Sequence, residues 1–193
     1  VDSAMWCASK SNNYLAVRFL AKPNGSQSPT GKTPCSHAAA HGDHTQVLGD
    51  LTRAACDVDE PGLMSCSPCY TAACEGKVSA VAMLIIAGSK INLRTALGRT
   101  ALALAAHKGH ADVVALLITA AALVDSDSDL SYSPLVMAAG EGHRKVLSLL
   151  LRASAQVNRV VNEAGTYLSA VSYASSRGHL SAVKILLDAQ GEA

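Results

Sequence analysis

Apolar residues fall along this chain in short runs at helical spacing: Val17/Phe19/Leu20, Val47/Leu48/Leu51, Val81/Met83/Leu84, Val113/Val114/Leu116/Leu117, Val146/Leu147/Leu149/Leu150 and Val183/Ile185/Leu186. Side chains three and four residues apart share one face of a helix, so each run predicts a short amphipathic helix. A second kind of segment, built from small residues, precedes each run. Five copies read Thr33-Pro-Cys-Ser-His-Ala-Ala-Ala-His-Gly42, Ser67-Pro-Cys-Tyr-Thr-Ala-Ala-Cys-Glu-Gly76, Thr100-Ala-Leu-Ala-Leu-Ala-Ala-His-Lys-Gly109, Ser133-Pro-Leu-Val-Met-Ala-Ala-Gly-Glu-Gly142 and Ser169-Ala-Val-Ser-Tyr-Ala-Ser-Ser-Arg-Gly178. A sixth, degenerate copy runs Ser3-Ala-Met-Trp-Cys-Ala-Ser-Lys-Ser-Asn12. The five start positions 33, 67, 100, 133 and 169 differ by 34, 33, 33 and 36 residues.

Each copy has the parts of a short helix. Thr or Ser at the start can cap free amides, and Pro directly after it needs no hydrogen-bond donor in the first turn. The Ala pair leaves room for a neighbouring helix, and the closing Gly accepts the left-handed conformation that ends the helix. Ile91-Asn92, Val124-Asp125 and Val157-Asn158 then close three of the units. A single pair of such helices cannot bury its apolar face, but stacked neighbours can.

On these residues the chain resembles the ankyrin-repeat family, whose period is about 33 residues, and the resemblance covers nearly all of it. It implies an all-α fold: one domain over 1–193, a solenoid of about six helix–turn–helix units joined by hairpin-like loops. The units would span approximately 1–28, 29–61, 62–95, 96–128, 129–161 and 162–193. The sequence departs from the family where its Thr-Pro-Leu-His motif carries His. Trp6, Ser36, Tyr70, Ala103, Val136 and Ser172 stand there instead, which puts the family's tie between successive loops in question. The His after the Gly persists as His110, His143 and His179, and Arg159–Leu168 is about three residues longer than its counterparts, a longer finger. Met5/Trp6 at the front and Val183/Ile185/Leu186 at the back lack the polar cap expected of terminal repeats.

Composition narrows the function. Of 193 residues 49% are hydrophobic, which excludes a disordered chain. Charged residues are 16%, against roughly 25% in an average soluble domain, so part of this weakly charged surface is expected to meet a partner. A net charge of +1 and 4% aromatics give neither the electrostatic footprint nor the stacking platforms of nucleic-acid binding. The most apolar stretches, Val78–Ala87 and Val113–Val124, fall short of the roughly 20 residues that span a bilayer, so no transmembrane segment is expected. The chain opens Val-Asp-Ser without an initiator Met or an apolar leader, as a processed protein or a fragment would. Six Cys fit no compact disulfide framework at this length, and the expected location is a reducing, cytoplasmic interior.

Motifs with chemical potential all have plainer accounts. Gly25 to Gly31-Lys32-Thr33 has five intervening residues where a phosphate-binding loop has four, and Thr33 is a helix cap. Cys66-Ser-Pro-Cys69 has zinc-knuckle spacing, but Cys69, like Cys35, takes the repeat's core Leu position, and no second ligand pair follows. His37 and His41 share a helical face without the Glu of a metalloprotease motif. Asp125-Ser-Asp-Ser-Asp129 lacks the Gly and terminal Glu of a calcium loop. The sequence therefore predicts no catalytic residue, no cofactor and no metal site.

What remains is recognition. Family members bind partner proteins with finger tips and the exposed ends of the first helices. Carried across position by position, the resemblance assigns partner contacts to Lys32, His41, Leu63, Met64, Cys66, Glu75, Leu97, Arg99, His107, Lys108, Leu130, Tyr132, Glu141, Leu168 and Arg177. Leu63, Met64, Leu97, Leu130, Tyr132 and Leu168 would form an exposed apolar edge. The expected function is a non-catalytic protein–protein interaction scaffold, a subunit or fragment of a larger complex. The alternative is the targeting domain of a larger enzyme whose catalytic part lies outside this chain.

Overall fold

A computed structural model describes residues 8, 13, 33–40, 45–53, 57–125, 133–163 and 166–191. The chain divides into two compact units, 1–97 and 98–193. Among the described residues the first unit holds α1 (Pro34–Ala40), α2 (Thr45–Arg53), a 3-10 turn at Leu63–Ser65, α3 (Pro68–Cys74) and α4 (Val78–Ile86). The second holds α5 (Ala101–Lys108), α6 (Ala111–Thr119), α7 (Pro134–Gly140), α8 (Arg144–Arg152), strands β1 (Val160–Glu163) and β2 (Thr166–Ser169), α9 (Ala170–Ser176) and α10 (Leu180–Gly191).

The repeat register holds at every described copy. First helices begin directly after Thr33, Ser67, Thr100, Ser133 and Ser169. Ser67 and Thr100 accept hydrogen bonds from the amides of Tyr70 and Ala103, each 3.2 Å away, which satisfies a donor the helix itself cannot. Ser36 and Ser172, two of the residues standing in for the family's His, complete reciprocal capping boxes. The Ser36 amide donates to Thr33 Oγ1 (3.1 Å), and the Thr33 amide donates to Ser36 Oγ (2.9 Å). Ser169 and Ser172 repeat the arrangement at α9. Ser133 makes no side-chain cap bond, and Pro134 alone marks that start. Of the degenerate first copy only Ala8 is described, and it is helical and buried.

Each unit has two layers. In the first, α1 packs on α3 and α2 on α4, while α1 pairs with α2 and α3 with α4. In the second, α5, α7 and α9 stack as one layer and α6, α8 and α10 as the other. The Ala pairs sit where first helices meet: Ala38/Ala39, Ala72/Ala73, Ala105/Ala106 and Ala138/Ala139 are buried throughout. Second helices contribute the larger groups, Leu48, Leu51 and Leu84 in one unit and Leu117, Leu147, Leu150 and Leu186 in the other. Burying a Leu of this kind stabilises by roughly 1.5–3 kcal/mol. Of the three apolar residues at the back end, Leu186 is fully buried and Val183 and Ile185 are half-buried, while Leu180 and Leu187 on α10 are exposed.

Successive loops are tied despite the missing family His. Asp59 accepts from Ser89 Oγ at 2.6 Å and from the Lys90 amide at 3.0 Å. One repeat period apart within the second unit, Asp125 Oδ2 accepts from the Gln156 amide at 2.9 Å, and Asn158 Oδ1 from Gln190 Nε2 at 2.7 Å. The longer finger expected at Arg159–Leu168 is the antiparallel β1–β2 hairpin, with Val161 opposite Leu168.

Candidate functional site

The assigned partner contacts separate into three groups. Lys32, His41, Leu130 and Tyr132 lie outside the described residues. In the first unit, Met64 and Glu75 are exposed and Cys66 is half-buried, while Leu63 opens the 3-10 turn. Met64 has φ 57°, a left-handed conformation that costs a non-glycine residue free energy, and its side chain is 55% exposed. The Met64 carbonyl accepts from the Ala96 amide at 3.0 Å, so this finger is pinned to the next one, beside the 52%-exposed Leu97.

The third group, in the second unit, is the one the structure gathers into a single cluster. Glu141 follows the last turn of α7. Its Oε1 lies 3.9 Å from His107 Nδ1 on α5 and 3.4 Å from Arg177 Nη1 at the end of α9. Three successive first helices thus present His107, Glu141 and Arg177 side by side. Arg177 is braced from below: its Nη2 donates to the Tyr173 hydroxyl at 2.9 Å, and its guanidinium lies 5.2 Å from that ring's centre. Tyr173 itself packs against the backbone of α7 at Gly140, where any Cβ would collide with the ring. Lys108 is exposed next to His107, and Arg99 and His107 are half-buried.

The local field acts on His107. Burial lowers its pKa most; the Glu141 carboxylate pulls the other way, and Lys108, Arg99 and His143 add to the lowering. His143 supplies a second tie between successive repeats of 98–193: the His107 carbonyl accepts from its Nε2 at 2.9 Å. Its ring lies where a side chain at Gly109 would have to go, and Gly109 has φ 78°, so Gly is required there twice over. Neither Tyr173 nor the His143 bond was assigned a role from the sequence. The Tyr173/Arg177 spacing of four residues on one helix was the available signal for the first. The recurrence of His after Gly was the signal for the second.

Leu168 departs from the expected apolar edge. It is half-buried in β2, within the hairpin that the longer finger forms; among the side chains described there, Val160 is exposed, at 54%. Cys69 is fully buried, and burial, with a smaller effect from the Asp59 carboxylate, pushes its thiol up to about 12. Burial also raises the Cys66 thiol. A thiol held protonated is a poor metal ligand and nucleophile. His37 is buried in α1.

A cleft of about 570 Å3 opens beside the His143 tie, lined by Gly109, Gly142, His143, Arg144, Lys145, Val146, Ser148 and Ile185. It carries no carboxylate, and its Ser148 hydroxyl donates to the Arg144 carbonyl at 3.1 Å. No group of three metal-ligating side chains and no helix long and apolar enough to cross a membrane occurs among the described residues.

Residues 69–161 match the family model for ankyrin repeats, in three copies. No curated protein matches the chain.

Proposed function

We propose that this chain, an ankyrin-repeat protein, is a non-catalytic interaction module that holds a partner protein along its finger turns and first-helix ends. Ankyrin repeats are generally protein–protein interaction modules. The observation that carries the reading here is the joining of His107, Glu141 and Arg177 across three successive first helices. Polar side chains fixed in one arrangement lose little freedom on binding, which leaves more of the contact energy as affinity. In the first unit, Met64 and Leu97 offer exposed apolar anchors on fingers held by a backbone hydrogen bond. A reducing compartment suits the free thiols of Cys35, Cys66, Cys69 and Cys74. Membership of a larger assembly fits the same reading, since Leu180 and Leu187 leave apolar surface on α10.

Affinity capture from the native extract tests the module reading. Wild-type chain is compared with Met64→Asp/Leu97→Asp and with Lys108→Glu/Arg177→Glu, each checked for unchanged helicity. A protein retained by the wild type and lost with either variant supports the reading. Retention by both variants contradicts it and moves the contact to the second-helix layer.

A further inference from the structure

We propose that the cleft at the start of α8 binds a small, soluble phosphate-bearing ligand through Arg144 and Lys145. This site goes beyond the interaction-module reading and lies on a different surface. The cleft holds about 570 Å3, within the range of small-molecule sites. Arg144 and Lys145 line it and are exposed, and neither makes an ion pair with a described residue. Other polar groups of its wall are already engaged. His143 Nε2 bonds the His107 carbonyl, and the Ser148 hydroxyl donates to the Arg144 carbonyl. Two neighbouring cations are therefore the donors left to a ligand, and they match a phosphate dianion better than a single carboxylate.

These cations stand where the helix itself disfavours them. The first turn of a helix carries partial positive charge, so Asp or Glu stabilises it and Arg or Lys does not. Yet α8 opens Arg144-Lys145 and has no acidic residue in its first turn. The other described second helices begin Thr45-Gln46, Val78-Ser79, Ala111-Asp112 and Leu180-Ser181, each without a cation. Stability of the free chain gives no account of this departure, whereas an anion in the cleft does. Asp112 on α6 and Asp188 on α10 are the carboxylates of the flanking helices, and neither lines the cleft.

The rest of the wall suits the part of a ligand that bears the phosphate. Buried Val146 and half-buried Ile185 give it apolar surface beside the two cations. A phosphate group occurs in soluble metabolites and in lipid headgroups alike, and the test separates the two sources.

The full chain is titrated calorimetrically with inorganic pyrophosphate at about 0.15 M salt, where exposed charges more than about 8 Å apart are largely screened. The expected result is saturable binding that Arg144→Gln/Lys145→Gln weakens at least about tenfold. Arg152→Gln, eight residues and roughly 12 Å further along α8, weakens it less than about twofold. Without pyrophosphate, the double variant unfolds at the wild-type temperature or above it. Equal weakening by Arg152→Gln reports diffuse surface charge and overturns the site, as does a failure to saturate below about 10 mM. A lowered unfolding temperature with unchanged pyrophosphate affinity makes the pair structural and also overturns it. In a second arm the chain is sedimented with vesicles of phosphatidylcholine and a phosphatidylinositol phosphate. Vesicle binding that pyrophosphate does not displace overturns the soluble ligand in favour of a headgroup. The capture experiment decides the module reading separately.

Discussion

Glu141, Tyr173 and Gly140 show how a single position on one repeat is set by the next. Gly140 is buried in α7, and the Tyr173 ring from α9 fills the space a side chain would take. Gly140→Ala is therefore expected to destabilise the protein by about 1–3 kcal/mol through overpacking, read from urea unfolding. Adding Tyr173→Ala should return part of that loss, because the obstacle is then gone. A neutral Gly140→Ala would mean that the ring does not sit on α7. The surroundings of His107 also make stability depend on pH. Its folded pKa lies below the ordinary 6.5, so protons bind the unfolded chain more readily. Its contribution is present above about pH 6.5 and is lost as pH falls through the lowered folded value. His107→Gln is expected to reduce the loss of thermal stability between about pH 7 and pH 5; an unchanged slope would show that the imidazole titrates without strain.

Elements are where the sequence was most legible. Helix starts are local chemistry, so Thr33, Ser67, Thr100, Ser133 and Ser169 could be read directly, and each described first helix starts after one of them, although Ser133 makes no cap bond. The second-helix core followed from periodicity for the same reason: Val113, Val114 and Leu117 face inward on α6. Leu117→Ala, at the centre of the second layer and fully buried, should cost roughly 2–5 kcal/mol as a core truncation. A loss below about 1 kcal/mol would place Leu117 outside the core. Less legible were features set by contacts across repeats. Leu168 looked like an exposed edge residue, yet the two-strand pairing of its finger half-buries it. Leu186 looked uncovered because it lies in the last second helix, but α10 turns that residue inward against α8 and α9. Asp59 and Asp125 tie successive loops by hydrogen bonds to the following repeat. They were visible only as an acidic or amide residue recurring at 59, 92, 125 and 158, and position 59 was easily overlooked.

At the scale of the molecule, helical layers of buried Ala and Leu carry stability, and polar groups at helix ends and turns stay at the surface. In 98–193 the stacking of α5, α7 and α9 brings side chains about one repeat apart within ion-pair distance. No feature of a single repeat could have announced that cluster; it needs the stack. Within 98–193 each repeat is thereby stabilised by its neighbours. The account's central claim is that the first-helix ends are the binding surface. Its most direct test is amide hydrogen exchange of the full chain with and without its captured partner. The account predicts slowed exchange around residues 105–109, 140–143 and 175–178, with α6, α8 and α10 unchanged. Protection confined to α6, α8 and α10 would contradict it.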